Sequence, residues 1–293
     1  EVVNEVKKLL PIKYKVNTSN MGSARNFLEV VAMADGDFVW MLGDDDLLMP
    51  RACEKVIELI KNHELVDYFY VNANHLTTEY VESFPQPFEL KNLPKKMTPF
   101  SSRTESGEML FLELIDPKVS FDFLGGIFLS VFRRQMWLSH TGCLDTDALA
   151  DSRVFSHFDN TFPHIKIFAN AFSKSLAYFS SDPASVCLTG AREWAPMEPL
   201  VMSVRLLEAL EAYNANGLKL YSYLYCRNAA LSNFFRDVLR LIYNKKESGG
   251  DYVNIPKILF KNCIFPNAYL SIFYMVFRKS FWNRMRKIFK SSV

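Results

Sequence analysis

The sequence predicts an α/β layered sheet, and three observations carry that expectation. Strand-like and helix-like apolar spacing alternate from Ile12 to Asn72, Phe38–Leu42 is an unbroken apolar run, and Asn, Gly, Asp or Pro punctuates the changes. In order, Val2, Val3, Val6, Leu9 and Leu10 have helical spacing, and Pro11 closes the segment. A short strand is expected over Ile12–Val16, then a turn over Asn17–Gly22. Ser23 opens a helix whose apolar face is Phe27, Leu28, Val31 and Ala32, and Asp35-Gly36-Asp37 breaks it. The run Phe38–Leu42 reads as a strand covered on both faces. Pro50 suits a first helical turn, with Ala52, Val56, Ile57 and Ile60 lining one face as far as His63. Residues 66–72 (VDYFYVN) read as the next strand.

Between Thr77 and Thr104 the pattern dissolves around Pro85, Pro87, Pro94 and Pro99, a connection long enough to be functional or mobile. Helix is expected again over Gly107–Ile115. An aromatic and glycine-rich segment (residues 120–138) follows, then helical patterns over 160–173 and 200–244. No internal repeat or low-complexity tract interrupts them.

With 293 residues and 49% hydrophobic content, the chain can bury the core of one large domain or two small ones, which excludes full-length disorder. A net charge of +2 gives no whole-molecule footprint for nucleic acid. That average conceals a split. No acidic residue follows Asp251, whereas Lys257, Lys261, Arg278, Lys279, Arg284, Arg286, Lys287 and Lys290 do, so the tail carries +8 and the first 251 residues −6. The five cysteines are widely spaced with no C-x-x-C pair, signalling neither a disulfide framework nor a zinc site and pointing to a reducing compartment. His157 and His164 would share a helix face two turns apart, too far for one metal.

The chemistry concentrates at Asp44-Asp45-Asp46, just past the carboxyl end of the Phe38–Leu42 strand, where open α/β sheets bind ligands. Carboxylates at i and i+2 can hold one hard divalent ion, which takes one or two carboxylates plus substrate phosphate oxygens. The plain alternative is a solvated turn and N-cap. Three adjacent like charges cost about 1 kcal/mol per screened pair, more than a cap requires.

The stretch NTSNMGSARNFLEVVAMADGDFVWMLGDDDLLMPRACEKVIELI (residues 17–60) resembles glycosyltransferase family 2, the inverting GT-A enzymes. Asn20, Gly22, Asn26, Ala34, Gly36, Asp37, Asp44, Asp46 and Pro50 match its pattern in order and spacing. GDFVWMLGDDD, with the later FLGGIFLSVFRRQMW, is most similar to the branch holding abequosyltransferase-like O-antigen enzymes. The resemblance implies a GT-A mixed sheet with flanking helices and a C-terminal helical region. It divides the chain into a catalytic domain over 1–190, a helical extension over 191–250 and a basic amphipathic tail over 251–293. It implies Mn²⁺ or Mg²⁺ and a donor diphosphate held by Asp44 and Asp46, with Asp45, Asn20, Gly22 and Arg25 on the nucleotide-sugar side. For Arg25 a solvent-facing helical position is the alternative. Family members carry two further strands before a helix like residues 1–10, so Glu1 is expected to be an internal cut that leaves out roughly 40 to 55 residues and their nucleoside contacts.

An inverting displacement needs a general base at the acceptor hydroxyl. The family places an Asp there, often in a Glu-Asp pair, which this sequence lacks. Asp159, in Phe158-Asp159-Asn160, is its nearest equivalent, with His164 and Asp122 as further candidates; an N-cap and a core histidine are the respective alternatives for the first two. Gly125 and Gly126 would let an acceptor sugar approach the backbone, or mark a bulge. Trp137 and Trp194 would stack on sugar rings, or pack in the core.

The tail interleaves aromatics with its cations, and its longest uncharged stretch, Asn262–Phe277, is below the ~20 residues a span requires. It is expected to lie on an anionic membrane surface or to dock as a helix. Together these readings expect a peripheral transferase on the inner face of the cytoplasmic membrane, acting on a polyprenyl-linked or lipopolysaccharide glycan. Two alternatives stand beside it. Asp-x-Asp phosphatase chemistry would want Thr where Leu48 lies, and a non-catalytic, membrane-docked glycan-binding partner would need neither base nor metal.

Overall fold

The computed structural model describes residues 2–44, 46–190 and 194–277. Seven strands form one mixed sheet among them: β1 (Phe38–Trp40), β2 (Leu47–Leu48), β3 (Tyr68–Thr77), β4 (Thr98–Pro99), β5 (Gly107–Leu110), β6 (Ser130–Arg133) and β7 (Leu176–Thr189). The order is β1-β6-β3-β7-β2, with β4 on β3 and β5 on β7. Only β3 and β7 pair in parallel; the other ladders are antiparallel. Through β6, β1 runs in the same direction as β3, so both chains leave the sheet at the same end.

The first half of the chain supplies helices α1 (Val2–Val6), α2 (Ser23–Met33), α3 (Ala52–Asn62) and α4 (Thr78–Glu82). α5 (Arg134–His140), α6 (Thr146–Ala150), α7 (Phe158–Thr161) and α8 (Pro163–Phe172) follow β6, and beyond β7 come α9 (Glu198–Leu200), α10 (Leu206–Ala215), α11 (Leu220–Ala230), α12 (Phe234–Tyr243), α13 (Ile255–Asn262) and α14 (Pro266–Phe277). The pleat of β3 sorts its side chains between two layers. Tyr68 and Tyr70 join Phe111, Phe132, Trp137, Phe168 and Phe179 on the side of α5 and α8, while Phe69 and Val71 meet Ala52 and Val56 of α3 on the other. Leu206, Leu210 and Tyr213 of α10 belong to the first of these cores, so the helices past residue 190 help to cover the sheet.

The mixed sheet with flanking helices agrees with the expected fold class, and three local expectations are corrected. Residues 12–16 form no strand: Tyr14 and Val16 are exposed, and among the described residues no ladder offers their backbone a partner. Gly107–Leu110 is a strand instead of a helix because its backbone pairs with Leu176–Phe179, and only Phe111–Leu114 turns as a 3₁₀ helix. β7 was not anticipated, because Ser181-Asp182-Pro183 reads as a turn. The ladder to β3 jumps there from Val71–Ser180 to Ala73–Ser185, so residues 181–184 bulge out and Pro183 needs no ladder donor. Buried Asn72 fills the gap, donating to the Ser181 carbonyl at 3.0 Å and accepting from Ser101 N–H at 3.0 Å.

Candidate functional site

β1 delivers the chain to the acidic segment. Asp44 is exposed beyond the strand end, and half-buried Asp46 accepts the Gly43 N–H on Oδ2 at 3.3 Å before Leu47 and Leu48 pair with β7. Asp45 lies outside the described residues. Two oxygen-donor carboxylates two positions apart, one facing solvent, suit a hard divalent cation that keeps water and takes phosphate oxygens.

Asn20 and Gly22 set the entry to α2. The Asn20 side chain accepts the Gly22 N–H at 2.9 Å, and Gly22 adopts φ 79°, a left-handed conformation that glycine takes without strain. No side chain caps α2, and nothing lies within 4 Å of where a Gly22 Cβ would point. Arg25 is half-buried in the first turn. Gly22 also edges a cleft of about 40 Å³ whose far wall includes Asp151, Arg153 and Phe155. Arg153 pairs bidentately with Asp151 there, an arrangement for which the sequence carries no spacing signal.

The segment entering β6 is the most constrained part of this end of the sheet. Phe123 and Leu124 have φ of 49° and 70°, a left-handed pair rare for bulky residues. Such conformations cost about 1–3 kcal/mol each and persist only where the surroundings hold them. Here the hold comes from beneath, through buried polar side chains. Tyr70 Oη donates to the Val119 carbonyl and Tyr213 Oη to the Phe123 carbonyl, both at 3.1 Å, and His164 Nε2 donates to the Gly125 carbonyl at 3.0 Å. Asp122 closes the turn: Oδ1 accepts the Ser120 hydroxyl and Oδ2 the Gly126 N–H at 2.8 Å. Burial, then the neighbouring Asp122 charge, pushes the Tyr70 phenol well above its ordinary value, so it remains a donor. Trp40 at the end of β1 donates to the Phe128 carbonyl at 2.7 Å, tying this segment to the strand that leads to Asp44.

Gly126 is explained by this packing. A Cβ there would come within 2.8 Å of the Phe128 ring and 3.1 Å of Asp122 Oδ2, so the space that glycine leaves is occupied by protein. Gly125 lies beside it and supplies the carbonyl that His164 grips.

Asp159 and His164 stand differently from the sequence expectation. Asp159 is 1% exposed, and its Oδ2 accepts both Lys166 Nζ and the Asp145 N–H at 2.6 Å, which locks the carboxylate between α6 and α8. Its helix is capped by His157, not by Asp159. His164 is 2% exposed and ringed by Phe27, Phe162 and Phe168. A carbonyl can only accept, so Nε2 carries the proton and Nδ1 is left as an acceptor with no hydrogen-bond partner among the described residues. Burial pushes His164 from 6.5 down to about 4. Below pH 6.5 the unfolded chain takes up a proton that the folded one refuses, so stability is complete above 6.5 and falls as the pH drops to 4. Urea titrations are expected to show His164 costing about 3 kcal/mol across that window, and His164→Gln should flatten the slope.

Trp137 is a core residue, stacked on Phe132 with ring centroids 4.9 Å apart and closed to any sugar. Half-buried Trp194 meets Phe155 edge-on at 5.8 Å. A larger cavity, about 790 Å³, opens beside Leu110, Lys174 and Tyr225 near the start of β7, at the opposite end of the sheet from Asp44.

Residues 1–114 match the family model for glycosyl transferase family 2. Over 238 residues the chain is 26% identical to abequosyltransferase RfbV of Salmonella typhimurium, covering 78% of this chain and 62% of that protein. It is 30% identical over 89 residues to an uncharacterized glycosyltransferase of Haemophilus influenzae, covering 30% of each. The chain thus spans less than two thirds of either curated relative. A crystal structure of S. aureus TarS residues 1–349 superposes with a TM-score of 0.43 at 13% identity, covering 89% of this chain and 77% of that one. The family match contains the Asn20–Gly22 turn, α2, β1 and the acidic segment in the order set out above. Over residues 1–114 the chain is thus similar to glycosyl transferase family 2.

Proposed function

We propose that the protein is a metal-dependent inverting glycosyltransferase that moves a sugar from a nucleotide-sugar donor to a cell-surface glycan of the O-antigen, lipopolysaccharide or capsule type. The observation that carries this reading is the placement of Asp44 and Asp46 at the exit of β1, within the family-matched segment and at the same end of the sheet as the braced 119–126 loop. Asp44 and Asp46 would hold Mn²⁺ or Mg²⁺, which when bound offsets the charge of a departing diphosphate. The α2 entry at Asn20, Gly22 and Arg25, with Asp45, is assigned to the donor.

For the general base the geometry favours Asp122 over Asp159 and His164. Asp159 is buried against Lys166, and His164 is committed to the Gly125 carbonyl. Asp122 is half-buried, sits on a strained loop, and has its carboxylate oriented by Ser120 and Gly126, so it can take the acceptor proton as the hydroxyl attacks. His164, Tyr70 and Tyr213 are positioning residues for that loop. The similarity to abequosyltransferase makes a deoxyhexose a reasonable donor sugar. The eight cations after Asp251 suit a lipid-linked acceptor at the inner face of the cytoplasmic membrane.

The test is a transfer assay of the full chain against a panel of nucleotide sugars, with a polyprenyl-linked glycan as acceptor, in Mn²⁺ and in EDTA. Transfer with inversion that EDTA abolishes is the expected result. Undiminished transfer in EDTA would remove the metal from the proposal, and no transfer or nucleotide binding with any donor would remove the enzyme.

A further inference from the structure

α13 and α14 bury polar side chains beside Phe265 and Ala268 while leaving a second set of large apolar side chains outward. Asn262 at the end of α13 is buried, accepting from Arg227 Nε at 3.1 Å and donating to the Ile258 carbonyl at 2.8 Å. Ser271 of α14 is also buried, accepting the Phe235 N–H at 3.0 Å and donating to the Ala268 carbonyl at 2.7 Å. Asn267 makes two hydrogen bonds to Asn228. The polar groups of this hairpin therefore face the protein. Its large apolar groups face away: Phe260 is 81% exposed, Ile264 74%, Phe273 60% and Phe277 75%, with Tyr269 and Leu270 between them. Tyr269 Oη donates to the Cys263 carbonyl at 2.6 Å, which ties the outward side of α14 to the end of α13.

A helix in water buries its apolar stripe and exposes a polar one; a second, outward apolar stripe is stable where it meets a nonaqueous phase. Charge indicates which phase. α14 carries no charged residue, Lys257 lies exposed on α13 while Lys261 there pairs with Glu211 at 3.3 Å, and the sequence that follows Phe277 adds six cations and no acid. Apolar anchors beside cations match the headgroup and acyl boundary of an anionic bilayer. No helix among the described residues is long and apolar enough to cross a membrane, so insertion would be in plane.

We propose that the outward face of α13–α14, centred on Phe260, Leu270 and Phe273, is the element by which this protein inserts into an anionic lipid bilayer. The proposal rests on and deepens the membrane part of the functional reading, placing insertion on the apolar face of α13–α14 rather than on the cations after Phe277. The full chain is sedimented with vesicles of phosphatidylcholine and phosphatidylglycerol, and with phosphatidylcholine alone. Wild type is expected to bind the anionic vesicles, and Phe260→Ser/Leu270→Ser/Phe273→Ser to lose about tenfold or more in partition coefficient with unchanged circular dichroism and melting temperature. A companion variant, Arg284→Gln/Arg286→Gln/Lys287→Gln/Lys290→Gln, should weaken binding by reducing attraction while keeping insertion, so its residual binding resists high salt. Triple-variant binding equal to wild type, or no wild-type binding to either vesicle, overturns the proposal. It is also overturned if light scattering shows a dimer that the triple variant converts to monomer, since a second copy would then cover the face. None of these readouts depends on transferase activity, so a failed anchor and a failed enzyme assignment are told apart.

Discussion

Replacing both Asp44 and Asp46 by asparagine is expected to reduce sugar transfer by roughly 10³-fold or more, since a bound divalent ion supplies several kcal/mol of charge stabilisation to a leaving diphosphate. Asp44 is exposed, and half-buried Asp46 accepts the Gly43 N–H at 3.3 Å, a hydrogen bond that an asparagine Oδ1 can still accept. The fold should therefore survive, and the melting temperature is the control. Titration of Mn²⁺ with a nucleoside diphosphate, followed calorimetrically, gives a second measure: wild type should show metal-dependent nucleotide binding and the double variant none. Turnover within a few-fold of wild type would mean that these carboxylates do not serve the donor.

Asp122→Asn is the second large effect, expected to lower kcat by about 10²–10⁴-fold with a smaller change in KM, the range for loss of a positioned general base. The pH profile separates a chemical role from a structural one. In wild type the acid limb of kcat/KM reports the base in the free enzyme, and the rate rises as that carboxyl ionises. In Asp122→Asn that limb should disappear while residual transfer continues. Asparagine can accept one of the two hydrogen bonds from Ser120 and Gly126 but not both, so a stability loss of about 1 kcal/mol is expected alongside. If Asp122→Asn keeps a wild-type profile and Asp159→Asn loses the limb, the base is Asp159 despite its pairing with Lys166.

The parts of this molecule that were legible in the sequence are those whose determinants are local. The apolar run at Phe38–Leu42 became β1, Ser23 began α2, and the acidic triplet fell at the strand exit because chain order alone places it there. The illegible parts depend on partners far along the chain. Ile12–Val16 has strand composition but no neighbouring ladder, and Gly107–Leu110 has helical spacing but pairs with Leu176–Phe179. β7 was hidden because a Ser-Asp-Pro bulge inside a strand is indistinguishable from a turn until Asn72 is seen to fill it. The brace beneath the 119–126 loop was hidden for the same reason, since Tyr70, His164 and Tyr213 lie 49, 39 and 90 positions from the carbonyls they hold. Asp122 was legible as a third candidate for the base, but the loop that orients its carboxylate was not.

The sheet order has a consequence for how the chain acquires its structure. Of the strands in the family-matched first 114 residues, β1 pairs with β6, β2 and β5 pair with β7, and only β3 and β4 pair with each other. Asp44 and Asp46 thus follow a strand whose ladder partner is synthesised some ninety residues later, and β3 waits about as long for its parallel neighbour. Contacts so far apart in sequence must close long loops before they repay the entropy, which makes assembly slow and late. The segment that matches the family model is therefore not a complete folding unit: β1 waits for Ser130–Arg133, and β2, β5 and the second edge of β3 wait for Leu176–Thr189.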